Sequence, residues 1–166
     1  FIELFFDINL NVFFKILIYI LSIVIPGILL IVENKTKVDF PEMLNILLAK
    51  IAIKGGNTDK AKDYLFKLID KYPNSYMGHK TLAEVYEKEE KYSVAVDEYI
   101  RAADLNNKNI KLNYKIAFLL NKDERSEDAI IVLQDLLKKN PEYYDATNLL
   151  GEILYTQERY KEAINV

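Results

Sequence analysis

The pattern of apolar and polar positions changes character once along the chain. From Ile16 to Val32 no residue is charged, and the apolar side chains fall on every face of a helix and form no single stripe. A helix that is apolar all round must be buried in protein or in lipid, and the rest of the chain is too small to surround it. Extended back to Val12, the run would make a helix roughly 30 Å long, the thickness of a bilayer's hydrocarbon core. It predicts a transmembrane helix over 12–32, after a short flank at 1–11. Lys15 would snorkel to the headgroups, with Phe13 and Phe14 near the same interface. Pro26-Gly27 is tolerated in lipid as a kink. A cleaved secretory signal is the competing reading. Against it stand the length of the run, the acids Glu3 and Asp7 ahead of it, and the lack of a small-x-small cleavage site.

Beyond a polar linker at 33–40 the pattern becomes amphipathic, and it repeats. Taking Glu42, Tyr76, Ile110 and Tyr144 as first positions, each lies 34 residues after the last. Position 7 then reads Leu48, Leu82, Ile116, Leu150; position 8 reads Ala49, Ala83, Ala117, Gly151; position 20 reads Ala61, Ala95, Ala129, Ala163. Small residues at positions 8 and 20 let two helix backbones approach closely. Leu65, Tyr99 and Leu133 at position 24 fill the space beside them. No single pair buries its apolar surface, so each stacks on the next. Local signals predict first helices near 41–54, 76–88, 110–121 and 144–156, and second helices near 58–71, 92–104, 126–139 and from 160 onward. Asn57, Ser75 and Ser126 are the expected N-caps, and Asp39-Phe40-Pro41-Glu42 starts the first helix. Pro73 and Pro141 follow the ends of second helices.

This pattern resembles the tetratricopeptide repeat. Residues 76–109 carry it best, with Leu82, Ala83, Tyr86, Tyr92, Ala95, Tyr99 and Ala102 at the family's positions. His79 replaces a bulky fourth residue and Asn107 replaces a proline. Glu90, Glu124 and Glu158 stand in a turn often held by glycine, where Gly56 conforms. The resemblance implies an all-α, right-handed helical-hairpin solenoid of about 3.7 repeats after one N-terminal transmembrane helix. The repeat domain would run 41–166, with units at 42–75, 76–109, 110–143 and an incomplete 144–166. The chain starts with Phe1 and stops inside an apparent helix at Val166, which suggests a fragment.

Composition changes this picture little. Net charge is −3 with a pI of about 5.3, and no basic patch dominates, so nucleic acid is not an expected partner. The absence of cysteine excludes disulfides, thiolate metal sites and a cysteine nucleophile. Lys35, Lys37, Lys50 and Lys54 follow the apolar run, so positive-inside bias puts the repeats on the cytoplasmic side of a single-pass membrane protein.

The resemblance also implies a partner-binding groove lined by positions 2, 5, 9 and 12 of the first helices. The first unit offers Met43, Ile46, Lys50 and Ile53, and the second Met77, Lys80, Glu84 and Glu87. Lys111, Tyr114, Phe118 and Asn121 come from the third, and Asp145, Asn148, Glu152 and Tyr155 from the fourth. Tyr114 and Phe118 share one helix face and are the expected main contact for a protein or peptide partner; the alternative is packing against a neighbouring repeat. A carboxylate clamp is not expected: Lys111 and Lys115 match two of its positions, but Ile46, Lys50 and Thr81 do not fit it. His79, the only histidine, is expected to fill space between helices. Asp97-Glu98 and Glu127-Asp128 read as solvated surface, and Gly55-Gly56 as the repeat's turn. No cofactor, metal or catalytic site is expected.

The expected function is therefore a membrane-anchored adaptor, not an enzyme. The alternatives are the non-catalytic part of a larger membrane enzyme and a component of envelope assembly or secretion. Self-association through an uncapped end is a further expectation.

Overall fold

Every helix expected in the repeat region forms, and the ends agree to within one residue. The computed structural model describes residues 14, 16–26, 40–106 and 109–166. Among these, the repeat region runs α1 (Phe40–Lys54), α2 (Thr58–Lys71), α3 (Tyr76–Lys88), α4 (Tyr92–Leu105), α5 (Ile110–Lys122), α6 (Ser126–Lys139), α7 (Tyr144–Thr156) and α8 (Tyr160–Ile164). Odd-numbered helices are the first helices of their units and even-numbered ones the second. The chain divides between Leu44 and Asn45 into two units.

In the first unit, residues 16–26 are helical, and these residues and Phe14 are all exposed. No helix among the described residues is long and apolar enough to cross a membrane. The flank at 1–11, Lys15, the outer parts of the expected span and residues 33–39 of the linker lie outside the described residues, as do Asn107 and Lys108. Phe40, expected to end the linker, is already helical.

The turn from first to second helix is built identically four times. Asn57, Lys91, Arg125 and Arg159 each donate a backbone N–H to the carbonyl five residues back (Ala52, Tyr86, Leu120 and Leu154), all at 2.9 Å. This bond closes a left-handed helix C-terminus. The residue inside it takes positive φ: 77° at Gly56, 59° at Glu90, 62° at Glu124 and 61° at Glu158. The same geometry corrects one expected cap. Asn57 and Ser75 accept from Lys60 N and Gly78 N as caps should. Ser126, however, is the first helical residue, and Arg125 occupies the cap without a side-chain bond. The turn fixes the cap one residue after the left-handed position, whatever chemistry follows. Ser126 instead donates its hydroxyl to Asn121 Oδ1 at 2.9 Å.

The small residues sit where the helices meet. Ala49, Ala83, Ala117, Ala61, Ala95 and Ala129 are all fully buried, as are Leu65 and Leu133. Gly151 has open space where a Cβ would be. One apolar cluster joins α1, α2 and α3 through Ala49, Leu65 and Val85, and a second runs from α3 to α7. Polar ties cross the same junctions. Lys88 Nζ reaches the carbonyl of Ile53 at 2.8 Å, and Asn109 Nδ2 reaches the Tyr76 hydroxyl at 2.8 Å.

Lys62 pairs with Glu89 at 2.7 Å, across the junction from α2 to the end of α3. The Lys62 ammonium, followed by that of Lys91, pulls the Glu89 carboxyl down to about 2, and Glu89 holds the Lys62 ammonium above its ordinary value. A depressed carboxyl contributes stability that is present above its unfolded value of 4.5 and lost as pH falls toward 2. The stability difference between the native chain and Glu89→Gln, measured by urea unfolding, should therefore shrink between pH 5 and pH 2 and stay level between pH 6 and pH 8.

Candidate partner-binding face

A first helix advances 100° per residue, so its positions 2, 5, 9 and 12 share a face, and the structure shows what each carries. On α1, Met43 and Lys50 are exposed while Ile46 and Ile53 are half-buried. On α3, Met77, Lys80, Glu84 and Glu87 are all half-buried, with Lys80 and Glu84 paired at 3.8 Å. On α5, Lys111 is exposed and Tyr114, Phe118 and Asn121 are half-buried. On α7, Asp145, Asn148, Glu152 and Tyr155 are exposed.

Polar and aromatic contacts draw α3, α4 and α5 together around Glu87. Its Oε2 accepts the Tyr99 hydroxyl at 3.1 Å, and its Oε1 accepts the Lys115 ammonium at 2.5 Å. Burial, with the Glu87 and Glu84 carboxylates behind it, pushes the Tyr99 phenol well above its ordinary value, so Tyr99 is a neutral donor here. Lys115 and Lys122 both lie 5.6 Å from the centre of the Phe118 ring. That distance suits an attraction between a cation and a ring face. Tyr114 meets Tyr143 edge to face at 5.7 Å. Burial, then Asp145, raises the Tyr143 phenol as well.

Tyr114 and Phe118 both pack on the main core cluster, and both keep part of their surface open. Helix α5 carries Lys111, Lys115 and Lys122 and no acid. Its open strip is thus basic and aromatic, and acids flank it on α3 and α7. Asn121 spends its amide oxygen on Ser126, and Tyr155 packs edge-on against Tyr160 at 5.3 Å. The positions used to define the groove leave out Lys115, Lys122 and Tyr143. Lys122 is four residues from Phe118 and Lys115 four from Lys111, a spacing that marks them as neighbours. Tyr143 is the last residue of the same unit, in the cap position before α7, and spacing within one helix does not point to it.

The other candidate groups are spent on structure. His79 is buried, with Nε2 at 2.8 Å from the Pro73 carbonyl and Nδ1 at 2.7 Å from Glu98. It ties the turn before α3 to α4. Thr81 is fully buried, and among the described residues its hydroxyl has no hydrogen-bond partner, so it presents nothing to a bound carboxylate. Among the described residues no group of His, Cys, Asp or Glu is placed to hold a metal ion.

Known proteins share this architecture. The crystal structure of MamA superposes with a TM-score of 0.67 at 18% identity, covering 75% of this chain and 72% of that one. A Thermobaculum terrenum O-GlcNAc transferase mutant superposes with a TM-score of 0.55 at 18% identity, over 69% of this chain and 22% of that one. At such identities the likeness is one of fold alone, an all-helical tetratricopeptide-like stack. Among curated proteins, tetratricopeptide repeat protein 21A of Homo sapiens is 29% identical over 99 residues, 59% of this chain. The tetratricopeptide repeat protein 21 homolog of Caenorhabditis briggsae is 30% identical over 113 residues, 68% of this chain. Each match spans only 8% of the relative's length. Residues 31–147 match the family described as the tetratricopeptide repeat protein 21 C-terminal ARM domain, and with most of its length inside that match the chain belongs to this family.

Proposed function

We propose that the chain is a protein-interaction scaffold that holds a partner segment on the face of its first helices, centred on α5. One observation carries this reading. Tyr114 and Phe118 are anchored in the core yet partly open, and around them Lys111, Lys115 and Lys122 stand on a helix without acids. Aromatic anchors fixed by packing and rimmed by charge are what a binding hot spot needs. Nothing in this stretch is assigned a catalytic step. Replacing both Tyr114 and Phe118 with alanine should weaken partner binding at least about tenfold while helical circular dichroism stays within a tenth of the native signal. Unfolding of the double variant would make both residues structural and remove them from the site.

The proposal includes a tether: residues 12–32 span a membrane, and the repeats recruit partners from the cytoplasmic side. What supports it is the uncharged run from Ile16 to Val32, together with the exposure of every described residue from 16 to 26. Placing both partners on one surface raises their effective concentration without new contacts. The chain has no cysteine, so a single cysteine at Lys108 gives a clean topology test. It should resist a membrane-impermeant maleimide in intact cells and react after lysis. Labelling in intact cells would put the repeats on the other side, and recovery of the chain in the soluble fraction would remove the tether.

A further inference from the structure

His79 makes two hydrogen bonds that a neutral imidazole cannot make together. Its Nδ1 lies 2.7 Å from Glu98 Oε2, and its Nε2 lies 2.8 Å from the Pro73 carbonyl oxygen. Both oxygens are acceptors. A neutral ring carries one N–H, and only the imidazolium carries two. The His79 side chain is 5% exposed and that of Glu98 is 12% exposed, which leaves little room for water to replace either partner. With a single proton on the ring, one of the two contacts sets a nitrogen lone pair against an oxygen, and the unmade bond costs more than the made one contributed.

Few charged groups surround the ring. Helices α2 and α4 pack on α3. From α4 the ring faces Glu98, whose Oε1 lies 3.7 Å from Arg101. At the end of α2, Lys67, Asp70 and Lys71 are exposed. On α3 itself, Lys80 pairs with Glu84. Among the described residues, the ring's hydrogen bonds go only to Glu98 and Pro73. Pro73 lies in the turn between α2 and α3, which joins the first unit to the second. The ring therefore ties the end of one unit to the second helix of the next.

We propose that His79 is a pH-sensitive latch on this seam. With both protons it holds Glu98 and Pro73 at once. As pH rises through the range in which imidazole changes charge, about 5 to 8, one proton leaves for water. A carboxylate binds an N–H more strongly than a carbonyl does, so Nδ1 keeps its proton and Nε2 gives its proton up. The Pro73 carbonyl is then released while Glu98 stays bound. The latch is closed at the lower pH and open at the higher, and opening it loosens the turn from which α3 starts.

His79 is the only histidine, so the imidazole signals of the whole 166-residue chain report on it alone. Nitrogen-15 NMR should show protons on both ring nitrogens at about pH 5 and on Nδ1 alone at about pH 8. The Ser75 amide bonds to the Tyr72 carbonyl across the turn at 3.0 Å. Its protection from hydrogen exchange, corrected for the intrinsic rate, should fall about fivefold over the same range, the equivalent of one ordinary hydrogen bond. Glu98→Gln should abolish that fall. The new amide donates to Nδ1, so the single proton of the neutral ring stays on Nε2 and Pro73 stays held. A ring that loses the Nδ1 proton first, or keeps both protons at pH 8, overturns the proposal, and so does a fall in Ser75 protection that persists in Glu98→Gln. The titration of the native chain decides the matter even where the variant does not fold.

Discussion

Replacing Glu90, Glu124 and Glu158 with glycine should stabilise the repeat stack by about 1 kcal/mol per site and about 2–3 kcal/mol together. All three hold positive φ, between 59° and 62°, in the turn that Gly56 fills in the first unit. There an L-residue's Cβ crowds the following carbonyl at a cost of roughly 1–2 kcal/mol. Glycine removes that cost and returns part of the gain through its more mobile unfolded chain. The glutamate side chains are exposed and make no hydrogen bond or ion pair among the described residues, so nothing offsets the gain. The sites are 34 residues apart in separate units, so the increments should add. Urea unfolding of the three single variants and the triple one checks this. Gly56→Ala should lose about as much as one glutamate replacement gains. A triple variant no more stable than the native chain would contradict the account of the turn.

Leu133→Ala should cost about 3 kcal/mol, with 2–5 kcal/mol usual for such a deletion in a packed core. Leu133 is fully buried on α6, in the cluster that joins the third unit to its neighbours. A stack stabilised by nearest-neighbour contacts loses stability where the contact is lost. Hydrogen exchange should therefore accelerate in α5, α6 and α7 and stay near native rates in α1 and α2. Ile131→Ala, on the same helix but 63% exposed, should change stability by less than about 0.5 kcal/mol. Uniform acceleration across all units would mean that the stack unfolds as one body.

The repeat architecture was legible in the sequence because its determinants are local and periodic. Alanine at positions 8 and 20 and a large residue at position 24 dictate close helix pairs, and through the first three units these residues are all buried. The turns were legible through Gly56 alone. Glu90, Glu124 and Glu158 looked like departures from the repeat, yet the closing hydrogen bond holds them in the glycine conformation. Ser126 misled because its chemistry suits a cap, while the turn places the cap at Arg125. The candidate face was legible as a row of positions on α5, but its contacts were not. The pairing of Glu87 with Tyr99 and Lys115, and of Tyr114 with Tyr143, joins different helices. Spacing within one helix carries no information about such pairs.

Partner capture on the first-helix face is tested most directly by site-specific photo-cross-linking in cells that make the protein. A photoreactive residue at Lys111, at the open edge of α5, is compared with one at Ile131, on the exposed side of α6. The binding face on α5 requires partner adducts at position 111 and few at 131, and it requires the adducts at 111 to vanish when Tyr114 and Phe118 are alanine in a chain that remains folded. Equal adducts at the two positions, or adducts at 111 that persist at native yield in the double variant, would contradict it.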